Sequence, residues 1–373
     1  LCRIMLGYCT NVHAGETLDE VISNLHDYAS VIQQRVGSPI EVGLWLPKKS
    51  LINKTSDTLK ECLSKLDLSV RSFNGFPYGN FHNSIVGREV YKPTWCEEER
   101  LTYTQQLATL LAELLPDNTS GSISTLPLGW GEGWNSDTQA AQQLLQCVDF
   151  LENLEQISQK LIHLDIEPEP GCRLQTASTL AEFIQTQFGD DERVRRYIRV
   201  CYDTCHAAVM REMPKDSLDT YAQVGLAIGK VQLSSAIDVD FDTLSEEEKN
   251  SAITALRSLS EPRYLHQTTI VRNSEMTFFN NLSDALHEQP TGHWRVHFHV
   301  PIHSKAIGPL GTTQHDLLQS LEEIPTNNDT LWEVETYTWD VMPTCFQENE
   351  LINSITSEIR WANKQIQSVV CDE

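Results

Sequence analysis

Short apolar runs and amphipathic segments alternate along most of the chain. Nine runs of apolar and β-branched residues have the length and composition of buried strands. They cover residues 4–9, 40–46, 68–73, 122–126, 161–166, 198–202, 230–233, 294–300 and 331–336. Between most of them, apolar residues recur at every third or fourth position, as on one face of a helix. This alternation predicts a parallel sheet whose strands are connected by helices.

The helical segments carry their own start and stop signals. Thr17 and Glu20 have the spacing of a capping box at the start of the first segment. Ser136 opens a later one, and Gly189 follows a predicted helix over 179–188. Because these signals fall between the apolar runs, they support the division into strands and helices.

Eight strand–helix units close into a (β/α)₈ TIM barrel, an α/β fold. One of the nine strands is therefore additional, and we assign that role to 294–300. We interpret residues 1–373 as a single barrel domain with insertions near 75–100 and 236–292. An open, doubly wound sheet is the alternative, but no glycine-rich phosphate loop follows the first strand.

The net charge of the chain limits the classes of molecule that the protein is expected to bind. The chain has 28 basic and 52 acidic residues among 373, a formal net charge of −24. Such a surface repels phosphate backbones, so we do not expect nucleic acid as a partner. It favours cations in a cleft, and a small molecule is the expected ligand.

The lengths of the apolar runs and the spacing of the cysteines indicate the cellular compartment in which the protein is expected. No run approaches the ~18 apolar residues of a membrane-spanning helix. The ten cysteines lack the spacing of a zinc finger or a disulfide framework. We therefore expect reduced thiols in a cytoplasmic protein, although the lack of an initial Met leaves open a targeting segment that was removed.

Acidic residues and imidazoles stand where predicted barrel strands end, which is where TIM barrels form active sites. Glu167 follows the run 161–166, and Glu335 lies near the end of the last strand. Asp203 closes the run 198–202, and His206 follows three residues later. Such oxygen and nitrogen donors suit one divalent cation. The structural alternatives are an exposed acidic turn, a helix cap and a salt bridge in the barrel mouth.

Further candidates lie on the additional strand and in the predicted loops. His297 and His299 share one face of the run 294–300, and two imidazoles are costly to bury there without a partner. We predict that at least one of them binds a metal, and we interpret Cys205 as structural. The residues that we expect to bind substrate are His13, Asn74, Tyr78, His82, Trp130 and His266.

Asp203-Thr204-Cys205-His206 resembles a motif of the apurinic-endonuclease branch of the xylose-isomerase-like barrels. Gln232 replaces the histidine that this branch carries on its seventh strand, and His297-Phe298-His299 is similar to its Asp-x-His. The resemblance implies the fold and a site for a divalent metal, Zn, Mn or Mg. The implied ligands are Glu167, Asp203, His206, Gln232, His297, His299 and Glu335. It does not imply a nuclease, because a charge of −24 is unsuited to gripping duplex DNA.

A second resemblance covers nearly the whole chain. Segments 7–13, 74–79, 122–130, 167–170, 264–267, 297–301 and 335–339 are similar to the EboE family of metabolite-traffic proteins. This family is thought to move a secondary-metabolite precursor together with a membrane-protein partner. The resemblance implies that role and no particular reaction.

Three functions remain open from the sequence. The first is metal-dependent isomerisation or epimerisation of a polyhydroxylated molecule, in which Glu167 or Glu335 moves a proton. The second is metal-assisted hydrolysis. The third is a non-catalytic carrier or scaffold that binds an aromatic compound through Trp130, Trp134, Trp332 and Trp339. The sequence leaves the substrate and the oligomeric state undetermined.

Overall fold

The computed structural model describes residues 6–79, 81–325, 329–347 and 349–372. Its strands, in chain order, are β1 (Leu6–Cys9), β2 (Glu41–Trp45), β3 (Ser69–Asn74), β4 (Gly121–Thr125), β5 (Ile162–Ile166), β6 (Ile198–Asp203), β7 (Ile228–Leu233), β8 (Ser235–Asp240), β9 (Thr268–Arg272), β10 (Glu275–Phe279), β11 (His293–Val300), β12 (Ala306–Ile307), β13 (Leu310–Thr312) and β14 (Leu331–Val334). Eight of them, β1–β7 and β14, form a closed parallel barrel in the order β1-β14-β7-β6-β5-β4-β3-β2. The predicted (β/α)₈ barrel is confirmed.

Each barrel strand lies within a predicted apolar run or overlaps it closely. The run 294–300 is part of β11, outside the barrel, as predicted for the additional strand. The first predicted run began at Ile4, which together with Met5 lies outside the described residues. The last one ended at Thr336, whereas β14 ends at Val334, and Glu335 lies just beyond the strand.

Helices follow the strands. They are α1 (Leu18–Asn24), α2 (Ser30–Val36), α3 (Thr55–Leu66), α4 (Glu98–Leu114), α5 (Asp137–Ser158), α6 (Ala177–Phe188), α7 (Glu192–Tyr197), α8 (Thr204–Val209), α9 (Pro214–Gln223), α10 (Glu246–Leu259), α11 (Leu282–Ala285), α12 (Gln314–Glu323) and α13 (Leu351–Asp372). A π-helical turn, Leu25–Ala29, joins α1 to α2. None of the helices in the described ranges is long and apolar enough to cross a bilayer.

The predicted helix signals act as expected. The Thr17 hydroxyl accepts from the Glu20 backbone, and the Glu20 carboxylate accepts from the Thr17 backbone, which completes the capping box. Gly189 follows α6 in a positive-φ conformation that other residues adopt reluctantly. The helix α6 starts two residues before the predicted position, because Thr176 caps it.

A second sheet is inserted between β7 and β14. It contains β8–β13 in the order β10-β9-β11-β8-β13-β12, with antiparallel pairing. It has its own apolar core, in which Trp294 and Phe298 of β11 pack with Leu256 of α10. The insertion predicted near 236–292 lies within this longer segment, 235–312. Only Ser234 separates β8 from β7, so the sheet begins at the carboxyl end of the barrel.

The segment that follows β3 also lies at this end. It contains a 3₁₀ turn, Gly87–Tyr91. The backbone amides of Val86 and Gly87 donate to the Arg263 carbonyl at 2.8 and 3.0 Å. The segment after β3 and the inserted sheet are thus joined across the barrel mouth.

Charged side chains fill part of the barrel interior. Lys230 of β7 is fully buried, with its Nζ 3.0 Å from a carboxylate oxygen of Glu333 on β14. Asp165 of β5 lies 2.6 Å from the imidazole of His163 and accepts from Ser122 at 2.6 Å. Glu333 and Asp165 therefore each have a partner that offsets part of the cost of burying them.

Two glycines make room for these carboxylates. A Cβ atom at Gly43 would collide with the Glu333 carboxylate, and one at Gly229 would collide with that of Asp165. Any larger residue at either position would displace a buried, partnered charge. The lack of a side chain at Gly43 and Gly229 therefore leaves the space that these two carboxylates occupy.

Candidate metal centre

Three buried imidazoles meet at the barrel mouth. His206 comes from the first turn of α8, and His297 and His299 come from one face of β11. The Nε2 atom of His297 lies 3.2 Å from Nε2 of His206 and 3.2 Å from Nε2 of His299. The inserted sheet thus brings two of the three rings to the barrel.

Each of these rings has its other nitrogen, Nδ1, beside an oxygen atom. The distances are 3.1 Å from His206 to the Pro168 carbonyl, 2.7 Å from His297 to Gln267 Oε1 and 2.9 Å from His299 to the Glu335 carbonyl. Because these oxygens can only accept, Nδ1 carries the proton in each neutral ring. The Nε2 lone pair of His297 therefore faces those of His206 and His299.

Such an arrangement fits a cation. Burial lowers the pKa of His206 to about 4 and lowers the pKa values of His297 and His299, so the rings are neutral at pH 7. Two nitrogens that bind one tetrahedral zinc at ~2.1 Å lie about 3.4 Å apart. The separations of 3.2 Å between the imidazoles are close to that value. A bound cation would relieve the repulsion between the lone pairs.

Three carboxylates form a second donor set beside the imidazoles. One oxygen each from Glu167, Asp203 and Glu335 lie within 4.8 Å of one another, and all three side chains are buried. Asp203 is shared, because its carboxylate also lies within 4.8 Å of the ring nitrogens of His206 and His299. The Cys205 thiol is within the same distance of His297 and His299.

The polypeptide holds these carboxylates in place. Asp203 ends β6 and caps α8, and one of its oxygens accepts from the His206 amide at 2.9 Å and from Ser234 Oγ at 2.8 Å. Glu335 accepts from the side-chain amides of Asn11 at 2.8 Å and Asn74 at 3.2 Å. Hydrogen bonds from the protein thus hold the Asp203 and Glu335 carboxylates in place.

Other oxygens of this set have no donor. Glu167 Oε2 and Asp203 Oδ2 are buried, and no hydrogen-bond donor among the described residues reaches them. Buried acceptors without a donor are rare in proteins and call for an ion, a water molecule or a ligand. These two oxygens and the three Nε2 atoms show that the residues fit a divalent cation.

The carboxylates also raise one another's pKa. Burial, and then the charges of Glu335 and Asp203, hold the pKa of Glu167 well above its ordinary value. Burial and the nearby Asp203 raise the pKa of Glu335 to about 8. Burial acts in the same direction on Asp203, but His206 and His299 lower its pKa overall. The charges at this end of the barrel are therefore poorly balanced by the protein itself.

A cavity opens above these donors. Its floor includes Glu167, Glu335, His206 and His297, together with Asn11 and Asn74. Its wall includes an apolar collar, which we define as Phe76, Phe81, Tyr91, Tyr264, Leu265 and Tyr337. The space not filled by atoms is about 510 Å³, part of it open to solvent. That size is typical of small-molecule sites.

The structure brings six of the seven predicted metal ligands together. The seventh, Gln232, lies on β7 with its side chain buried in the barrel, where Oε1 accepts from the Cys201 thiol at 3.2 Å. Gln232 Nε2 has no acceptor among the residues that the structure describes. Gln232 is not among the described residues that line the cavity.

Of the residues predicted to bind substrate, Asn74 lines the cavity. The structure places the others around it: His82 contacts the Asn11 carbonyl at 2.7 Å, and His266 contacts the His297 carbonyl at 2.9 Å. His13 is buried against Tyr28, with ring centroids 4.1 Å apart. Tyr78 lines a neighbouring surface cleft, and Trp130 packs on Tyr91. Trp332 and Trp339 are buried and are not among the described residues that line the cavity.

Several residues of the site were not predicted from the sequence. Gln267 accepts the Nδ1 proton of His297 and donates through Nε2 to the Pro170 carbonyl at 2.9 Å and to Tyr91 and Glu169. Tyr91 donates to the Glu169 carboxylate at 2.7 Å. These residues come from irregular segments between elements, in which no periodic pattern marks them.

Comparison with known proteins identifies the fold. No protein-family model matches the chain, and no curated protein matches it. A xylose isomerase-like TIM barrel protein from Mycobacterium smegmatis, solved in complex with magnesium, superposes with a TM-score of 0.53 and 10% identity over 99% of this chain and 97% of that one. D-psicose 3-epimerase with D-tagatose from Clostridium cellulolyticum H10 superposes with a TM-score of 0.49 and 10% identity over 98% of this chain and 99% of that one. An IolI protein with a bound zinc superposes with a TM-score of 0.47 and 11% identity over 99% of this chain and 97% of that one. The chain has the xylose-isomerase-like TIM-barrel fold.

Proposed function

We propose that this protein is a divalent-metal-dependent isomerase or epimerase of a small hydroxy-carbonyl compound, such as a sugar. The observation that supports this most directly is the clustering of the His206, His297 and His299 imidazoles with the Glu167, Asp203 and Glu335 carboxylates. Four of these six side chains line the floor of a cavity. The fold adds support, since the Mycobacterium smegmatis barrel was solved with magnesium. We place the activity in the cytoplasm.

The metal would be held by side chains of both donor sets. They are Asp203, His206, His297 and His299 on one side and Glu167 and Glu335 on the other. A divalent cation polarises a carbonyl group and stabilises the negative charge of an enediolate. Zinc, manganese and magnesium all accept ligands of these types.

The residues themselves would orient the substrate and move the proton. Glu167 and Glu335 both line the cavity, where a substrate carbon would lie within their reach. One of these carboxylates would take up the proton from that carbon and return it, as a general base and then as a general acid. Asn11 and Asn74 hold Glu335 by their side-chain amides, so its orientation is set before the substrate binds.

The test combines metal analysis with isotope exchange. We expect the purified protein to bind Zn²⁺, Mn²⁺ or Mg²⁺ and to unfold at a higher temperature when loaded. In D₂O, the loaded protein should place deuterium on the carbon next to the carbonyl of a ketose or aldose from a panel. Glu167→Gln should abolish the exchange, whereas the exposed Glu61→Gln should leave it unchanged. A protein that binds none of these metals contradicts the proposal, and turnover of esters or lactones alone favours the hydrolytic alternative.

The second candidate is the metabolite-traffic role of the EboE family. In this role the barrel carries a precursor and delivers it to a membrane-protein partner, with or without a reaction. The apolar collar above the metal centre favours it, because such a wall suits a nonpolar metabolite. Retention of an aromatic compound by the metal-loaded protein, without turnover or deuterium exchange, would favour the carrier over the enzyme.

A further inference from the structure

The cavity has two chemically different parts. Its floor presents carboxylates, imidazoles and the Asn11 and Asn74 amides, whereas its wall is the apolar collar. Phe81, Tyr264 and Tyr337 of the collar pack against one another, with ring centroids 5.1–5.3 Å apart. On the other side Phe76 packs on Tyr91 at 5.9 Å. A ligand that reaches the floor must therefore pass between aromatic surfaces.

The tyrosine hydroxyls of the collar are engaged with the protein. Tyr91 donates to Glu169 at 2.7 Å, and Tyr264 donates to the Phe81 carbonyl at 3.2 Å. The Tyr337 hydroxyl lies 3.4 Å from His297 Nε2, at the floor. Because the Tyr91 and Tyr264 hydroxyls are directed to protein partners and that of Tyr337 to the floor, the collar offers a ligand mainly ring surface.

The cavity also lacks a basic group. Neither lysine nor arginine is among the described residues that line it. Arg100 lies behind Phe76, but its guanidinium donates to the carbonyls of Gly75 and Phe76 at 2.7 and 3.0 Å. Arg88 pairs with Glu132 at 2.7 Å.

This lining opposes an anionic substituent. A phosphate in the collar would face several carboxylates with no lysine or arginine at the wall to offset its charge, which is electrostatically unfavourable. An aromatic or alicyclic ring would instead bury apolar surface and stack edge-to-face on the collar. The wall therefore selects against sugar phosphates and in favour of a ring.

We propose that the substrate is an uncharged molecule in which a hydroxy-carbonyl end joins an aromatic or other apolar ring, with the ring held in the collar. The polar end of this assignment rests on the proposed function. The ring and the lack of charge rest only on the collar and on the absence of lysine and arginine from the described lining.

Three probes that share a CO–CH₂OH end test the proposal. They are hydroxyacetone, 2-hydroxyacetophenone, in which a phenyl ring replaces the methyl group, and dihydroxyacetone phosphate. Calorimetric titration of the manganese-loaded protein should show 2-hydroxyacetophenone binding at least about tenfold more tightly than hydroxyacetone. Dihydroxyacetone phosphate should bind the most weakly of the three. Equal affinity for the first two probes, or preference for the phosphate, overturns the proposal.

A variant of the collar locates the effect. Leu265→Asn keeps nearly the same size and places an amide in the wall, and it should reduce the preference for the ring by about tenfold while hydroxyacetone binds as before. Leu218→Asn, at a half-buried position of α9 outside the cavity, serves as the control for general damage and should change neither. An unchanged preference for the ring in Leu265→Asn contradicts the proposal.

The same titrations separate this inference from the proposed function. Metal binding and deuterium exchange together with a preference for the phosphate would leave the proposed function standing and refute the ring-bearing substrate. Tighter binding of 2-hydroxyacetophenone by a protein that takes up no metal would support the ring-bearing ligand and refute the metal-dependent enzyme.

Discussion

The barrel contains two groups of buried charges that differ in how they are balanced. In the interior, Glu333 is paired with Lys230 at 3.0 Å, and Asp165 is paired with His163 at 2.6 Å. At the mouth, Glu167, Asp203 and Glu335 lie beside one another and beside neutral imidazoles, and no lysine or arginine among the described residues forms an ion pair with them. Both groups are equally buried, so burial by itself does not distinguish them.

This difference in pairing indicates which buried charges stabilise the fold and which would bind a ligand. A buried carboxylate with a built-in cation is complete, and removing either partner exposes the other to the full cost of burial. A set of carboxylates and neutral imidazoles with converging lone pairs is complete only when a cation binds. The interior pairs should therefore control stability, and the mouth should control metal affinity.

The largest effect is expected from Glu333→Gln. The substitution leaves the Lys230 ammonium buried without its counter-charge, which should lower the free energy of unfolding by about 3–5 kcal/mol. Urea titration measures the change. The exposed Glu61→Gln, which also removes a partner of a lysine, is the matched control and should have almost no effect. A wild-type unfolding curve for Glu333→Gln would show that the interior pair is not required.

Glu335→Gln, two residues further on, should behave in the opposite way. It removes a charge that has no paired cation, so the metal-free protein at pH 8 should be as stable as wild type or more so. Its affinity for Zn²⁺ or Mn²⁺ should fall by at least about 100-fold, because a direct ligand is lost. Chelator competition gives the affinity. Strong destabilisation of the metal-free variant would contradict the proposed difference between the carboxylates of the mouth and those of the interior.

Glu41→Gln examines an interior pair in which burial outweighs the partner. Burial raises the Glu41 pKa from 4.5 to about 7, although Arg71 lies 3.4 Å away and lowers it. The folded protein thus holds a proton more tightly than the unfolded chain, and this contribution to stability is present below pH 4.5 and lost as the pH rises through 7. The variant has no such proton to lose, so its stability relative to wild type should improve by about 3 kcal/mol between pH 4.5 and 8. A difference that stays constant with pH would refute this assignment.

The smallest effect is expected from Gln267→Ala. Gln267 accepts the Nδ1 proton of His297 at 2.7 Å and so keeps the Nε2 lone pair directed at the metal centre. Its removal should lower zinc affinity about tenfold, and Gln267→Glu, which retains an acceptor, should restore most of it. Affinity measured by chelator competition is compared with the unfolding temperature of the metal-free variants. Equal zinc affinity in Gln267→Ala and wild type would show that the orientation of His297 does not depend on this contact.

The sequence alone predicted the barrel and predicted that many of the candidate metal ligands lie close together. The eight strands were recognisable because a buried parallel strand needs a short, continuous apolar run, and this requirement is local. Glu167, Asp203 and Glu335 were recognisable because each stands at the carboxyl end of such a run, and closure of the barrel brings all these ends to one side. Position in the chain was therefore enough to predict that they meet.

Tertiary structure alone decided how the site is completed. His206 and His297 lie 91 positions apart in the sequence, with α9, α10 and the strands β7 to β10 between them. Only the packing of these elements brings the two Nε2 atoms to 3.2 Å. The collar likewise combines residues from three separate irregular segments. The four tryptophans proposed for an aromatic ligand lie outside the described lining of the cavity, whereas Tyr91, Tyr264 and Tyr337 belong to it. The periodicity of a segment indicates which of its residues are buried. It carries no information on which distant segment covers them. For this physical reason the wall of the site could not be predicted from the sequence.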